Sequence, residues 1–264
     1  MNNNESKSTV GRRIKIIDEL NAKGEVNVKK LSKMFGVSEV TIRNDLGQLE
    51  KKHMLIRARG GAMKAAQNFV GVDFPLSDKQ KTRLKEKKAI GKKASGLVEN
   101  GNTIIIDSGT TTFEVAKNLD KVENVTVITS ALNVAVHLAE YKNLNVIVPG
   151  GSLRHNSLSL IGILAEKGFR DYFCDKLFLG VDSFDIEHGI STPNLEEAHL
   201  NQIMIEISKE VIVVADSSKF KRRGFALIAP VTQINTLITD EGIPSDDRTR
   251  LEQLGIKVII VKGG

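Results

Sequence analysis

Apolar residues recur at helical intervals three times within the first fifty positions. Ile14, Ile17 and Leu20 form one stripe that stops before Gly24, Val28, Leu31 and Phe35 a second that stops at Gly36, and Ile42, Leu46 and Leu49 a third. Steps of three and four mark one face of a helix, and a glycine just beyond marks its end. Ser38 stands where an N-cap belongs, its hydroxyl able to accept from an early helical N–H. Helix, tight turn and helix over Val28 to Gly47 is the order of a helix-turn-helix. "LIRARGGA", Leu55 to Ala62, then sets Arg57 and Arg59 among smaller residues before Gly60-Gly61, which predicts a strand closing on a small basic wing.

The pattern then lapses and returns with a different period. Lys64 to Asp78 mixes Gln, Asn, Gly, Asp, Phe and one Pro without periodicity and reads as a linker. From Lys79 a basic segment with Leu84, Ile90, Ala94 and Leu97 predicts one helix running up to Gly101. Seven short apolar or β-branched runs follow, beginning at Thr103, Val125, Leu144, Lys176, Val211, Thr236 and Lys257. Helical patterns such as Leu132, Ala135, Val136, Ala139 and Leu200, Ile203, Met204, Ile207 separate several of them. Continuously apolar strands alternating with helices predict a mainly parallel sheet covered on both faces. The expected organisation is a winged helix-turn-helix over 1–63, a linker over 64–78 and an α/β domain over 79–264.

Charge sharpens this division. Met1 to Lys64 holds 14 of the 38 Lys and Arg but 7 of the 32 Asp and Glu, a net of +7; the remainder nets −1. Positive charge confined to one end points to a polyanionic partner there, because neutralising phosphates releases counterions. One cysteine, Cys174, excludes an intrachain disulfide. The chain start lacks the apolar stretch of a secretory signal, and no run approaches the ~20 apolar residues that span a bilayer. These features predict a cytoplasmic protein with no membrane partner. The five histidines are scattered without metal-ligand spacing, so neither a metal nor another cofactor is expected.

On the third helix, 100° per residue gathers Ile42, Leu46 and Leu49 on one arc and Val40, Thr41, Asn44, Gly47 and Gln48 on a distant one. The second face is short and mostly uncharged, which suits base edges: an Asn or Gln amide bonds adenine, and Val or a Thr methyl packs on the thymine methyl. Double-stranded DNA is the predicted partner, with Ser38, Val40, Thr41, Arg43, Asn44, Gln48, Arg57 and Arg59 as candidate contacts. Arg12, Arg13, Lys29, Lys30 and Lys33 are candidates for phosphates, and Asp45, between the faces, for orienting a neighbouring arginine or amide. The alternative is a small helical protein-docking domain.

In the second domain, open parallel sheets bind ligands beyond the carboxyl ends of their strands. Reading each run at its end gives Asp107-Ser108-Gly109-Thr110-Thr111-Thr112, then Thr129-Ser130, Pro149-Gly150-Gly151, Gly180-Val181-Asp182 and Asp216-Ser217-Ser218-Lys219. The threonine turn enters a helix carrying Phe113, Ala116 and Leu119, so its hydroxyls and N–H groups form a candidate anion cradle at the positive end of a helix dipole. No G-K-[ST] follows as in a nucleotide P-loop, and the three spaced glycines of a dinucleotide fingerprint are missing. A monophosphate fits better, with Lys219 to neutralise it and Asp107 and Asp182 to receive sugar hydroxyls or an amine.

These motifs carry a family resemblance. "VNVKKLSKMFGVSEVTIRNDLGQLEKKHMLIRARGGA" resembles the amino-terminal domain of DeoR-type bacterial sugar-metabolism repressors; Asn44 replaces that family's usual second arginine and His53 a glycine before the wing. "IDSGTTTFEVA", "PGGSLR", "DKLFLGVDS", "GISTPN", "VVADSSKF" and "ITDEGI" are similar to the same family's sensor domain, of the ribose-5-phosphate isomerase and CoA-transferase fold group. The resemblance implies a repressor whose operator affinity is controlled by a phosphorylated sugar. Matching motifs imply an effector site of Asp107, Ser108, Gly109, Thr110, Thr111, Thr112, Ser130, Gly150, Gly151, Asp182 and Lys219; Ser130 stands where an asparagine is common. Within the family, "GVSEVTIRNDLGQLEK" and "DEGIPSDDRTRLEQLGIKVIIV" resemble the members that regulate amino-sugar use, which implies an amino-sugar phosphate. A homo-oligomer, dimer or tetramer, is expected to match repeated operator half-sites. The alternative is an active sugar-phosphate isomerase or deaminase drawing on Asp182, Asp185, Glu187, His188 and Glu196; a sensor that binds without turnover is the simpler expectation.

Overall fold

The computed structural model describes residues 9–51, 55–58, 60–63, 69–70 and 75–262. The chain divides into two compact units, Met1–Phe74 and Pro75–Gly264. Arg59, His53 and most of the expected linker lie outside the described residues.

In the N-terminal unit, α1 (Thr9–Lys23) is followed by β1 (Glu25–Asn27), α2 (Val28–Phe35), α3 (Glu39–Lys51), β2 (Ile56–Ala58), β3 (Gly61–Met63) and the two-residue β4 (Phe69–Val70). Asn27 caps α2, its Oδ1 accepting from the Lys29 and Lys30 N–H groups, and Gly36 ends that helix in the left-handed region at φ 63°. Ile16, Leu20, Val28, Leu31, Ile42, Leu46 and Leu49 close a common core. The wing is an antiparallel sheet in the order β1-β3-β2. Gly61 sits at its tightest point, where a Cβ would fall 2.0 Å from the Val26 carbonyl oxygen.

The C-terminal unit begins with α4 (Leu76–Lys81) and α5 (Leu84–Ser95), then β5 (Thr103–Ile106), α6 (Thr110–Ala116), β6 (Val125–Ile128), α7 (Leu132–Leu138) and β7 (Leu144–Ile147). A hairpin follows, β8 (Ser152–Arg154) and β9 (Ser159–Ile161), then α8 (Ile163–Arg170), β10 (Cys174–Gly180), β11 (Ser183–Asp185), β12 (Gly189–Thr192) and α9 (Leu195–Glu206). The chain ends with β13 (Ser208–Val214), β14 (Arg223–Gly224), β15 (Ala226–Ala229), β16 (Thr236–Asp240), α10 (Ser245–Gln253) and β17 (Lys257–Val261).

All seven predicted runs enter one sheet, in the order β17-β16-β13-β10-β5-β6-β7. Each neighbouring pair is parallel. Alternate residues face opposite ways along a strand. Ile104, Ile106 and Phe178 therefore join Ile90, Val115 and Leu138 in one core, while Ile105, Leu177 and Leu179 join Phe169, Leu200 and Met204 in the other. Strand order reverses between β5 and β10, and this switch point is where an open α/β sheet leaves a crevice.

Three local expectations need correction. The single helix predicted from Lys79 to Gly101 is two helices, broken at Arg83, whose φ of 53° lies outside the helical region. Its first turn starts at Leu76, inside the stretch read as linker. On α7 the buried residues are Val134 and Leu138, whereas Val136 is exposed. The antiparallel sheet β11-β12-β15 and the β8-β9 hairpin were not foreseen.

Candidate functional site

The two units carry separate candidate sites. In the N-terminal unit, Ser38 Oγ accepts from the Thr41 N–H at 3.1 Å and meets the Thr41 hydroxyl at 2.8 Å, which starts α3. With Ile42, Leu46 and Leu49 turned into the core, α3 exposes Val40, Arg43, Asn44 and Gln48, with Thr41 and Gly47 half-buried. Arg43 is paired with Glu39 at 2.6 Å. The Arg57 N–H donates to Glu50 Oε1 at 3.2 Å, fixing β2 of the wing beside α3 with Arg57 exposed.

Arg12, expected against phosphate, instead lies buried with its Nε 2.6 Å from Asp45 Oδ2, while Arg13 Nε holds the other oxygen at 2.8 Å. The carboxylate between the two faces of α3 points inward, so the arginines act as clamps across α1 and α3. Arg13 keeps partial exposure, and Lys29, Lys30 and Lys33 on α2 are exposed.

In the C-terminal unit a cavity opens at the switch point. The end of β5 contributes Asp107 to Thr111, the end of β10 Gly180, Val181 and Asp182, α4 Leu76 and Lys79, and the β8-β9 turn Asn156 and Ser157. Thr192, Glu197, Asn201 and Lys219 complete the lining. Lys219 is positioned by the loop after β13, where the Ser217 N–H and hydroxyl donate to Asp240 at 2.6 and 2.7 Å.

Charge in the cavity is divided. Asp182 pairs with Lys79 at 2.8 Å and lies 3.8 Å from Lys219. Burial works against its ionisation, but the two lysines outweigh burial and hold it below the usual carboxylate range. Asp107 has no such partner. Burial first, and then the charge of Glu197, push it up to about 8, although the Gly180 N–H donates to it at 3.1 Å. Asn201, with its amide turned to satisfy its neighbours, donates to Asp107 Oδ1 and to the Glu197 carbonyl, each at 3.3 Å. Glu197, also raised chiefly by burial, is bound by Arg154 at 2.9 Å. The cavity thus presents two lysines, one carboxylate that they hold ionised, and two carboxyls pushed upward by burial.

Four sequence-named candidates lie off this cavity. Thr112 is buried and its hydroxyl donates to the Gly109 carbonyl at 3.0 Å, closing the turn. Ser130, Gly150 and Gly151 follow β6 and β7, which lie beyond β5 on the side away from β10. Ser130 Oγ is buried without a hydrogen-bond partner, and a Cβ on Gly151 would meet the Ile161 carbonyl at 2.8 Å. The helix-dipole reading also weakens, because α6 spans only seven residues and the macrodipole is a sum over aligned peptides. Among the described residues, Lys79 and Lys219 are the cations that line the cavity. Lys79, Asn156, Ser157, Glu197 and Asn201 were not singled out as site residues from sequence, although Thr192 and Glu197 sit within or beside the "GISTPN" motif.

Comparison with known proteins identifies both units. A family model for the DeoR-like helix-turn-helix domain matches residues 12–68, and one for the DeoR C-terminal sensor domain matches residues 82–241. The chain belongs to the DeoR family. A protein described as an aga operon transcriptional repressor, from Escherichia coli O157:H7, is 42% identical to this DeoR-family chain over 96% of its length and 94% of that protein's. The HTH-type transcriptional regulator YulB of Bacillus subtilis is 40% identical over 95% and 96% respectively. Among solved structures, ribose 5-phosphate isomerase A of Methanocaldococcus jannaschii aligns at a TM-score of 0.38 and 17% identity, covering 51% of this chain and 53% of that one. As a DeoR-family member with both domains, the protein is a DNA-binding transcriptional regulator and not an enzyme, which removes the isomerase or deaminase alternative. No helix among the described residues is long and apolar enough to cross a membrane.

Proposed function

We propose that the protein represses a sugar or amino-sugar catabolic operon and releases its operator when a phosphorylated sugar or amino sugar enters the switch-point cavity. The observation that carries this reading is the pairing of Lys79 and Lys219 with Asp107, Asp182 and Glu197 around one small space. A phosphate suits the lysines and the hydroxyls of Ser108, Thr110 and Thr111, since charge-assisted hydrogen bonds are the strongest available. Ring hydroxyls or an ammonium suit the carboxylates. The likeness to an aga operon repressor supports an amino sugar. Two or more copies in the cytoplasm, a dimer or tetramer, would set the exposed faces of α3 at half-site spacing.

The test is a thermal-shift screen of phosphorylated hexoses, hexosamines and pentoses, followed by operator-binding anisotropy with each hit. A screen in which no phosphosugar raises the melting temperature refutes the reading. Lys219→Ala is expected to keep its operator affinity yet need about 10- to 100-fold more ligand for release, the range for losing one charged hydrogen bond. Wild-type sensitivity in titrations of that variant would remove Lys219 from the site. On the DNA side, Gln48→Ala is expected to relax discrimination among operator variants by about 1–3 kcal/mol at one base pair. Arg57→Ala is expected to weaken all DNA evenly and to flatten the dependence of log K on log salt. Equal behaviour of the two variants across sequences and salt would contradict these roles.

A further inference from the structure

The cavity as it stands leaves little free space for the ligand just proposed. Its free space is about 60 Å³, whereas sites for small organic molecules commonly run to about 300 Å³ or more. One wall is made by α4, a six-residue helix that is also the first element after the boundary between the two units. No residue of α4 is buried, so packing does little to hold it. Polar ties hold it instead. The Leu76 N–H donates to the Asn156 carbonyl at 2.7 Å, and Lys79 Nζ reaches Asp182 at 2.8 Å. At the far end Lys87, reaching up from α5, donates its ammonium to the Lys79 and Thr82 carbonyls at 2.5 and 2.8 Å. Asn156, Lys79 and Asp182 all line the cavity. A ligand that fills this space therefore acts on the same groups that hold the wall.

We propose that α4 is a strap, held closed by the Lys79–Asp182 pair, and that an anionic ligand opens it by taking Lys79 from Asp182. This inference rests on the proposed phosphosugar reading and adds the route of coupling. The closed strap fixes the point at which the chain from the DNA-binding unit enters the sensor unit; the open strap releases it. Lys79 is thus both a ligand-binding and a coupling residue, and the strap-closed form is the one that binds operator. Asp182 changes role as well: it holds the strap when the cavity is empty and is left to the sugar when the cavity is filled. Lys87 stays with the carbonyls of Lys79 and Thr82, so the hinge lies at the α5 end.

The test uses the full chain, galactosamine 6-phosphate as probe, and Lys79→Met, which keeps the aliphatic stem and removes the charge. Lys79→Met is expected to bind operator about 5- to 150-fold more weakly than wild type without ligand, the usual range of a coupling between sites. Adding the probe should change its operator affinity less than twofold. Lys79→Arg should restore both affinity and response, and Lys81→Met, an exposed lysine on the same helix, should behave as wild type. Amide hydrogen exchange over Leu76–Thr82 gives a reading independent of DNA: it should be faster in ligand-free Lys79→Met than in wild type, and faster in wild type once the probe is added. Wild-type operator affinity and exchange in Lys79→Met overturn the strap. A wild-type protein that takes up neither this probe nor any other phosphosugar, by calorimetry, instead overturns the phosphosugar reading itself. Uptake by wild type with no change in exchange over Leu76–Thr82 overturns the strap alone.

Discussion

Replacing Asp45 by alanine is expected to unfold the DNA-binding unit while leaving the melting of the sensor unit in place. Asp45 is 2% exposed and holds both Arg12 and Arg13. Removing it strands the Arg12 guanidinium, itself 5% exposed, without an anion. Breaking a buried ion pair from one side costs about 3–5 kcal/mol, comparable with the whole stability of a domain this small. Calorimetry should show a lost or strongly lowered transition for one unit, an unchanged transition for the other, and no operator binding at 37 °C. A shift of less than about 2 °C in the weaker transition would show that the clamp contributes little.

The second large effect is a pH dependence traced to Asp107. In the unfolded chain this carboxyl ionises near its ordinary value of 3.8, while in the folded protein it keeps its proton up to about 8. Between those values the folded state binds more protons than the unfolded one, so stability falls as pH rises. The contribution is fully present below about pH 4 and is lost progressively through about pH 8. Asparagine cannot ionise and still accepts from the Gly180 N–H. Asp107→Asn should therefore match wild type near pH 4 and melt progressively higher than wild type above it, by on the order of 5 °C or more at pH 8. Parallel melts from pH 4 to 9 check this, because the difference between the two proteins isolates Asp107. A difference that stays constant with pH would mean that the carboxyl is ionised in the folded protein.

The parts that were legible in the sequence are those where one periodicity dominates. Seven apolar runs were readable as parallel strands because residues such as Ile104, Ile105 and Ile106 are all buried, on alternating faces. The exposed and buried sides of α3 followed from helical spacing alone. Asp107 and Asp182 could be placed at strand ends, and the fold brings those ends together because β5 and β10 are neighbours across the switch point. Strand order itself is not written in local pattern. Ser130, Gly150 and Gly151 also follow strand ends, those of β6 and β7, which lie on the side of β5 away from β10. Lys79 was read as the start of one basic helix; the chain instead breaks at Arg83, and the short helix that carries Lys79 lines the cavity. Glu197 and Asn201 stand one turn apart on α9, but Glu196, His199, Gln202 and Glu206 make the helix polar elsewhere too, so the pair does not stand out by pattern. Arg12 was misread because charge invites a phosphate: Asp45 could be read as orienting an arginine, but local pattern does not say that Arg12, 33 residues away, is the one.

Ile16, Leu20, Ile42 and Leu46 belong to a core that shares no member with either core flanking the seven-stranded sheet. The helix-turn-helix domain and the sensor domain therefore each close their own core. A chimaera that exchanges the first 74 residues between relatives keeps each interior whole, so the DNA sequence that is read can be changed without rebuilding the larger domain.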